Sequence, residues 1–403
     1  MNECHFDDLE GEICNFSTRF DRFLSLFGMT INKKMEKILI INFIIWLTFQ
    51  TNAQPTDSWP IFRGNQNLTG VSNTTIPDSP KLLWTFETGD NIKSSPVVAN
   101  GKVVVGSTDG FVYCLNMNGK LLWKFETNNS IEAPALIHDN VVYIGNLDGM
   151  LYALELNSGK KLWEYETENQ IIGSANWWSD GKSTYIFVGS YDFFLHCVDA
   201  KTGEMKWKYE SDNYINGAAA SANGKAMFGG CDGFLHIVDV ATGKLDKKID
   251  VATYVAGSAA VENDKTYIGD YDGRFFQVDI KTGKTTWVWE DENTHLQFIA
   301  SPALIGNKVL TANYNKFLYC FDKNSGKKLW EYNTGRQVEA SPVITKDKVI
   351  IANMRGDLAM VNLSDGKLIW NYEIGSQIIS NPAVAAEKIF VGAYDGNVYC
   401  FGK

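Results

Sequence analysis

From residue 81 to the carboxyl end, apolar and polar positions alternate in short runs separated by glycine-containing turns. A period of two sends successive side chains to opposite faces of a strand, so the pattern reads as sheet throughout. The runs recur in one order: Gly-x-x-Asp-Gly, an alternating strand, a Ser/Thr-Gly-Lys turn, then Trp within a second alternating strand. The unit is clearest as GSTDGFVYCLNMNGKLLWKFET from Gly106 and GNLDGMLYALELNSGKKLWEYET from Gly145. Copies from Gly189 and Gly269 follow it closely, those from Gly229, Ala312 and Ala352 are more degenerate, and the last, from Gly392, stops halfway. Each Asp-Gly marks a hairpin turn whose positive φ glycine accepts at little cost.

The register is set by Trp84, Trp123, Trp163, Trp207, Trp287, Trp330 and Trp370, with Lys247 in the corresponding place of the weak copy TGKLDKKID. These eight positions recur at about forty residues, the period of a propeller blade. Inserts at Trp177–Gly181 and Glu292–His295 lengthen two of the steps. In the first unit Ser95–Asn100 reads as the inner strand, followed by Lys102–Gly106, Phe111–Asn116 and the outer strand Leu121–Thr127. The carboxyl end offers Ile378–Val384, Lys388–Ala393 and Asn397–Phe401 with no outer partner. The amino end offers Leu82–Thr88, an outer strand with no other three. The expectation is an all-β, eight-bladed β-propeller of four-stranded antiparallel blades over residues 81–403. Pairing the amino-terminal outer strand with the carboxyl-terminal three would close it and remove the open sheet edges. The repeated Trp residues should wedge between blades, each indole N–H seeking an acceptor.

Ahead of the ring, Lys33-Lys34-Met35-Glu36-Lys37 precedes the apolar run Ile38–Phe49, with Thr51 and Ala53 at the positions before a cleavage site. This is the pattern of a secretory signal peptide, and the run is too short to span a membrane as a helix. The reading divides the chain into an upstream extension (1–34, outside the mature protein), a signal peptide (35–53, cleaved near Ala53), a lead-in (54–80) and the propeller. The lead-in, with Trp59, Phe62-Arg63-Gly64, Pro77 and Pro80, is expected to lie across the surface of the ring. The mature chain would be periplasmic or secreted, monomeric and without a transmembrane segment.

Composition agrees with a hairpin-rich sheet protein: 13% aromatic residues, and 35 glycines against 9 prolines. A net charge of −10 with no cluster of Lys and Arg excludes a nucleic-acid-binding surface. Of seven cysteines, Cys4 and Cys14 precede the signal peptide. Cys114, Cys197, Cys320 and Cys400 share one column of the repeat and so fall in different blades, while Cys231 stands alone. No metal-binding spacing is present, and these residues read as small buried hydrophobes.

The stretches Val198–Trp207 (VDAKTGEMKW) and Val278–Trp287 (VDIKTGKTTW) resemble the tryptophan-docking motif of the PQQ-type propellers. That family includes quinoprotein alcohol dehydrogenases and the outer-membrane-protein assembly factor BamB, and the resemblance covers residues 81–403. Trp59-Pro60-Ile61-Phe62-Arg63-Gly64 is similar to the start of many exported members. The resemblance implies the fold; activity does not travel with it. The dehydrogenases hold their quinone over a Trp floor, under a disulfide between adjacent cysteines, with a carboxylate-bound calcium and a catalytic Asp. This sequence has no Cys-Cys pair and lacks their long inserts. PQQ and calcium are therefore not expected as cofactors. Asp109, Asp148, Asp192, Asp232, Asp272 and Asp395 each occupy the turn of a different blade, where Asp is favoured for backbone reasons.

In a propeller the outer-to-inner connections share one face with the hairpins between second and third strands. The repeat places Asn91, Ser130, Gln170, Tyr214, Tyr254, Gln297, Gln337 and Gln377 just before the inner strands. Two residues on come Lys93, Glu132, Ile172, Asn216, Ala256, Ile299, Glu339 and Ile379, with Arg336 adding a charge near Glu339. The hairpins contribute Tyr191, Tyr271, Tyr314, Met354 and Tyr394. This rim suits recognition of a polypeptide segment or small ligand better than catalysis. His196 and His236 hold equivalent strand positions and read as packing residues; His295 lies in an insert. No convergent acid–base or nucleophilic set is visible. The expected function is a non-catalytic binding or scaffold propeller of the bacterial cell envelope, engaging an envelope protein or peptide. The alternatives are a PQQ- and calcium-dependent alcohol dehydrogenase, and a carbohydrate or small-ligand binder at the channel.

Overall fold

The computed structural model describes residues 57–403 apart from Ala252 and Asn293. The extension and signal-peptide assignments, with Cys4, Cys14 and His5, lie outside the described residues.

Eight sheets are arranged in chain order, each with a core of four antiparallel strands, joined by hairpins in all but the last. Blade 1 comprises Val97–Ala99, Lys102–Gly106, Phe111–Asn116 and Leu121–Glu126, and the pattern repeats through blade 7, which ends with Leu368–Glu373. Blade 8 takes Ala383–Ala385, Lys388–Gly392 and Asn397–Gly402 from the carboxyl end and Lys81–Glu87 from the amino end. In that closing pair Trp84 stands opposite Cys400. The eight-bladed ring and its closure are therefore as the repeat predicted. The inner strands are shorter than expected, mostly three residues, as in Val97–Ala99.

The outer strand of every blade carries a one-residue register shift, in blade 1 between Leu121 and Trp123 opposite Cys114 and Leu115. Such a bulge raises local twist and re-aims the next side chain. Here it turns the Trp toward the following blade. Trp84, Trp123, Trp163, Trp207, Trp287 and Trp330 each donate their indole N–H to a carbonyl there, from Met117 to Leu363, at 2.9–3.1 Å. The rings rest on the glycines of the third-to-fourth turns, Gly119, Gly159, Gly203, Gly243, Gly326 and Gly366, where an added Cβ would meet ring carbon at 2.6–2.8 Å. Trp and Gly are thus one contact written in two blades. Trp370 instead packs edge-on against Phe401, ring centroids 5.6 Å apart.

Cys114, Cys197, Cys320 and Cys400 face the Trp of their own sheets, buried and unpaired. Burial pushes their thiols up to about 12, so they behave as apolar filling.

The lead-in is where the structure departs from expectation. Instead of lying across the surface, Trp59, Ile61, Phe62, Arg63, Leu68 and Ile76 are buried. The segment runs around the end of the central channel opposite the rim and bonds to the inner strand of one blade after another. Trp59 exchanges two hydrogen bonds with Val98 of blade 1, and the Pro60 carbonyl accepts from Ile137 of blade 2. The Gln66 side chain donates to Trp177 of blade 3 while its carbonyl accepts from Ser221 of blade 4. The carbonyls of Asn67, Thr69 and Gly70 accept from Val261, Leu304 and Ile344 of blades 5, 6 and 7. Val71–Ser72 then adds a fifth, parallel strand to blade 7, and Thr74 accepts from Glu387 of blade 8. The physical reason is that inner strands expose an unpaired edge to the channel, and buried backbone donors need acceptors.

Only the seam between blades 4 and 5 lacks its indole, and around Gly283 nothing approaches an added Cβ closer than Ile249 at 3.8 Å. Trp123→Ala should cost about 3 kcal/mol, whereas Lys247→Ala should change stability by less than about 0.5 kcal/mol. Lys247→Trp should stabilise by about 1–2 kcal/mol. Urea midpoints of the three variants check this ordering.

Candidate functional site

The face opposite the lead-in is built from two repeated positions that one backbone bond joins in each blade. The hairpin amides of Thr108, Leu147, Tyr191, Cys231, Tyr271, Tyr314, Met354 and Tyr394 donate to the loop carbonyls of Asn91, Ser130, Gln170, Tyr214, Tyr254, Gln297, Gln337 and Gln377. Side chains at both positions are thereby held around the channel mouth.

A cavity of about 170 Å³ occupies the channel below. Lys93, Glu132, Asn216 and Glu339, with Ile172, Ile299 and Ile379, form its upper wall; Ser95, Ser174, Ser258, Ser301, Ser341 and Asn381 form its lower wall, and Phe62 of the lead-in lies against it. The charged groups pair across blades. Lys93 Nζ is 2.6 Å from Glu132 Oε1, and that hydrogen bond raises the Lys93 pKa. Tyr314 donates its hydroxyl to Glu339, and burial followed by this bond pushes the phenol well up. The Lys93 ammonium acts on Tyr394 as well, but burial outweighs its pull and raises the phenol's pKa. Asn216 donates to Cys231 Sγ at 2.8 Å, leaving its Oδ1 buried without a partner.

Around the mouth the tyrosines of blades 3 to 5 form a crescent in which Tyr191 is half-buried. Tyr191 stacks on Tyr214 with centroids 4.7 Å apart, and Phe193 meets the same ring edge-on at 5.2 Å. Tyr254 and Tyr271 make an edge contact at 6.4 Å, and both are exposed, as is Tyr214. Burial pushes the Tyr191 phenol up to about 12. The structure does not bring Arg336 and Gln337 into this group. Both are exposed, and the partner of Glu339 is Tyr314 rather than Arg336. Phe193 is a residue that sequence reasoning passed over. It stands where six of the eight copies have the turn glycine, Lys316 being the other exception, and it keeps the left-handed backbone, φ 78°. A bulky residue in that region is strained. Its signal was the break of the Asp-Gly pair to Asp192-Phe193.

The turn aspartates do more than shape hairpins. Asp109 accepts from Gly89, Phe111 and the Tyr113 hydroxyl. In blades 3 and 4 the corresponding links are Asp192–His196 and Asp232–His236, each 2.8 Å. The other ring nitrogens meet Tyr165 and Tyr209 of the preceding blades at 2.9 Å. Both ring nitrogens of each histidine are thereby engaged, one with Asp and the other with the Tyr hydroxyl. These histidines are indeed buried, and they tie blades together. His295 is exposed and bonds Glu290 at 2.8 Å, away from the channel lining.

A quinone site does not fit these residues. Among the described residues no Trp lines the cavity, the two carboxylates at its wall are already engaged by Lys93 and Tyr314, and the turn carboxylates of Asp109, Asp192 and Asp232 are bound to Tyr113, His196 and His236. Among the described residues no three His, Cys, Asp or Glu side chains gather as a metal site.

Fold and repeat define a propeller of the PQQ-like class. Family models then divide the chain: residues 178–402 match the propeller of beta-alanine-activating enzyme, and residues 75–180 match outer membrane protein assembly factor BamB. The chain belongs to the PQQ-like β-propeller family. No curated protein sequence matches it. Among solved structures it is similar to BamB from Moraxella catarrhalis, at 20% identity and TM-score 0.69 over 80% of this chain and 98% of that one. It is similar too to quinohemoprotein alcohol dehydrogenase from Comamonas testosteroni, at 14% identity and TM-score 0.74 over 88% and 81%. The computationally designed Ika8 protein matches at 16% identity and TM-score 0.71 over 80% and 100%. At these identities the likeness is one of fold.

Phe193→Gly should relieve the turn and stabilise the protein by about 1 kcal/mol, read as a higher urea midpoint, while removing one wall of the crescent. A second expectation concerns acid. Burial opposes ionisation of Asp192, but the His196 bond and charge and the amides of Glu168 and Phe194 outweigh it, drawing the carboxyl to about 2. A depressed folded pKa stabilises fully above the unfolded value near 4, and the contribution is lost as pH falls from about 4 toward 2. Asp192→Asn should remove about 1–2 kcal/mol of acid-dependent stability in that window, checked by urea titrations at pH 2.5 and 6.

Proposed function

We propose that the protein is an exported, non-catalytic binding propeller of the bacterial cell envelope, which engages a polypeptide segment at the channel mouth. The observation that carries this reading is the tyrosine crescent, exposed Tyr214, Tyr254 and Tyr271 with Phe193 and the half-buried Tyr191, beside a channel whose opposite end is taken up by the lead-in. Tyrosine offers large, stiff, amphipathic contact area at low entropic cost, and such residues anchor protein recognition. The Glu132–Lys93 and Glu339–Tyr314 pairs add fixed polar contacts at the same opening. The match of residues 75–180 to an outer-membrane assembly factor supports an envelope role, and the apolar run Ile38–Phe49 supports export.

Photo-crosslinking from Tyr214 and Tyr254 in envelope extracts should trap a defined protein. The double variant Tyr214→Ala, Tyr254→Ala should weaken its capture at least tenfold, consistent with about 1–2 kcal/mol per anchoring aromatic, at unchanged thermal stability. Crosslinks confined to other faces would refute the reading. So would PQQ and Ca²⁺ binding to the purified protein with dye-linked alcohol oxidation, which would establish the dehydrogenase alternative.

A further inference from the structure

The lower wall of the channel is a ring of hydroxyls linked in one direction. The amide of Ala218 donates to Ser258 Oγ, that of Ser258 to Ser301 Oγ, and that of Ser301 to Ser341 Oγ, all at 2.8–2.9 Å. Ser341 donates to Asn381, whose amide and side chain both donate to Ser95 Oγ. Four serines therefore spend their oxygen as acceptor, and none of their hydroxyl protons is taken by another group among the described residues. These same serines line the cavity, so their protons are available to its contents.

Next to this ring lies an unbalanced charge. Arg63 is 1% exposed, and its Nη2 donates to the carbonyls of Pro302 and Pro342, at 3.0 and 2.7 Å, one residue beyond Ser301 and Ser341. Among the described residues its Nε and Nη1 have no partner, and burial is what acts on its charge. Burial draws the guanidinium down to about 9, which still leaves it charged at neutral pH. Gly70, at φ 67°, leaves the room this side chain fills, since an added Cβ would sit 1.9 Å from Nη2. A charge held in a low-dielectric interior projects a field that water screens poorly. Hydroxyl donors thus face the cavity at the end away from the carboxylates, and a cation lies behind them, bonded to the carbonyls that follow Ser301 and Ser341.

We propose that the closed end of the channel is a carboxylate-binding site, its oxygens taken by the hydroxyls of Ser95, Ser258, Ser301 and Ser341 and its charge balanced by Arg63. The carboxylate belongs either to a free small acid or to the carboxyl terminus of a peptide entering from the rim. The site does not depend on the crescent, and the two are separable by experiment.

Sodium acetate, compared with acetamide at matched ionic strength, is the first probe. Acetate should raise the thermal midpoint in a saturable way, and acetamide, of the same shape but uncharged, should not. Ser341→Ala should weaken acetate binding about tenfold in calorimetry, whereas Tyr254→Ala at the rim should leave it unchanged. On the unaltered protein, the amide signals of Ser258, Ser301 and Ser341 should shift with acetate and not with acetamide, which decides the matter should Ser341→Ala fail to fold. A short peptide with a free carboxyl terminus, set against its amidated form, identifies the source. Tighter binding of the free-acid peptide than of acetate assigns a chain terminus, and equal or weaker binding assigns a small acid. Equal effects of acetate and acetamide, unshifted serine amides, or unaltered acetate affinity in Ser341→Ala would each overturn the proposal.

Discussion

The constraint on which this molecule depends is the unpaired inner edge of its sheets. Eight short strands such as Val97–Ala99 stand around one axis, each turning backbone donors toward a channel too narrow to hydrate them freely. Between Trp59 and Thr74 the lead-in brings hydrogen-bonding groups to all eight blades in chain order. The same segment runs on to Lys81–Glu87, which closes blade 8 from outside. One stretch of chain thus resolves the inner edges and then the ring. The buried Arg63 belongs to this arrangement, pinned to blades 6 and 7 through two prolyl carbonyls.

Between blades a second device does the joining, and it is uneven. Where an indole rests on the glycine of the next blade, apolar area and a hydrogen bond are gained together. Blades 3 and 4 add Tyr–His–Asp chains, Tyr165–His196–Asp192 and Tyr209–His236–Asp232. The next seam has Lys247 in place of the indole, beside an open Gly283. Both kinds of joint therefore coincide around the blades that carry Tyr191 and Tyr214, and the indole is missing at the seam just beyond them.

What the sequence disclosed follows from periodicity. Blade count, Trp register and the closing strand were legible because each recurs, and recurrence survives local noise such as Lys247. The pairing of Trp with glycine was not, since the partners lie in different blades and meet only after the bulge turns the ring. The lead-in was misplaced for a related reason. Its buried residues, Ile61, Phe62, Arg63 and Leu68, follow no strand period, because the chain winds around an axis instead of running along a sheet. Lys93 and Glu132, in adjacent blades, came from one column and do pair, while the partner of Glu339 came from a different column. Repeats reveal positions; contacts between columns need the geometry of the ring.

The distribution of polar groups supports the binding reading proposed above. A catalytic channel needs titratable groups free to exchange protons near a reacting atom. Here Glu132, Glu339 and Lys93 are engaged with one another or with tyrosine, and the thiols in the blades are buried filling. Among the described residues at the cavity, the groups left open are of another kind: serine protons on one side, the Asn216 carbonyl oxygen on the other, and aromatic rings at the mouth. Fixed donors, fixed acceptors and stiff rings are means of holding a ligand in one orientation. The strain retained at Phe193, in a turn where every neighbouring copy from Gly110 to Gly273 has glycine, makes sense on the same terms. It places a ring against Tyr214 that the fold itself does not require.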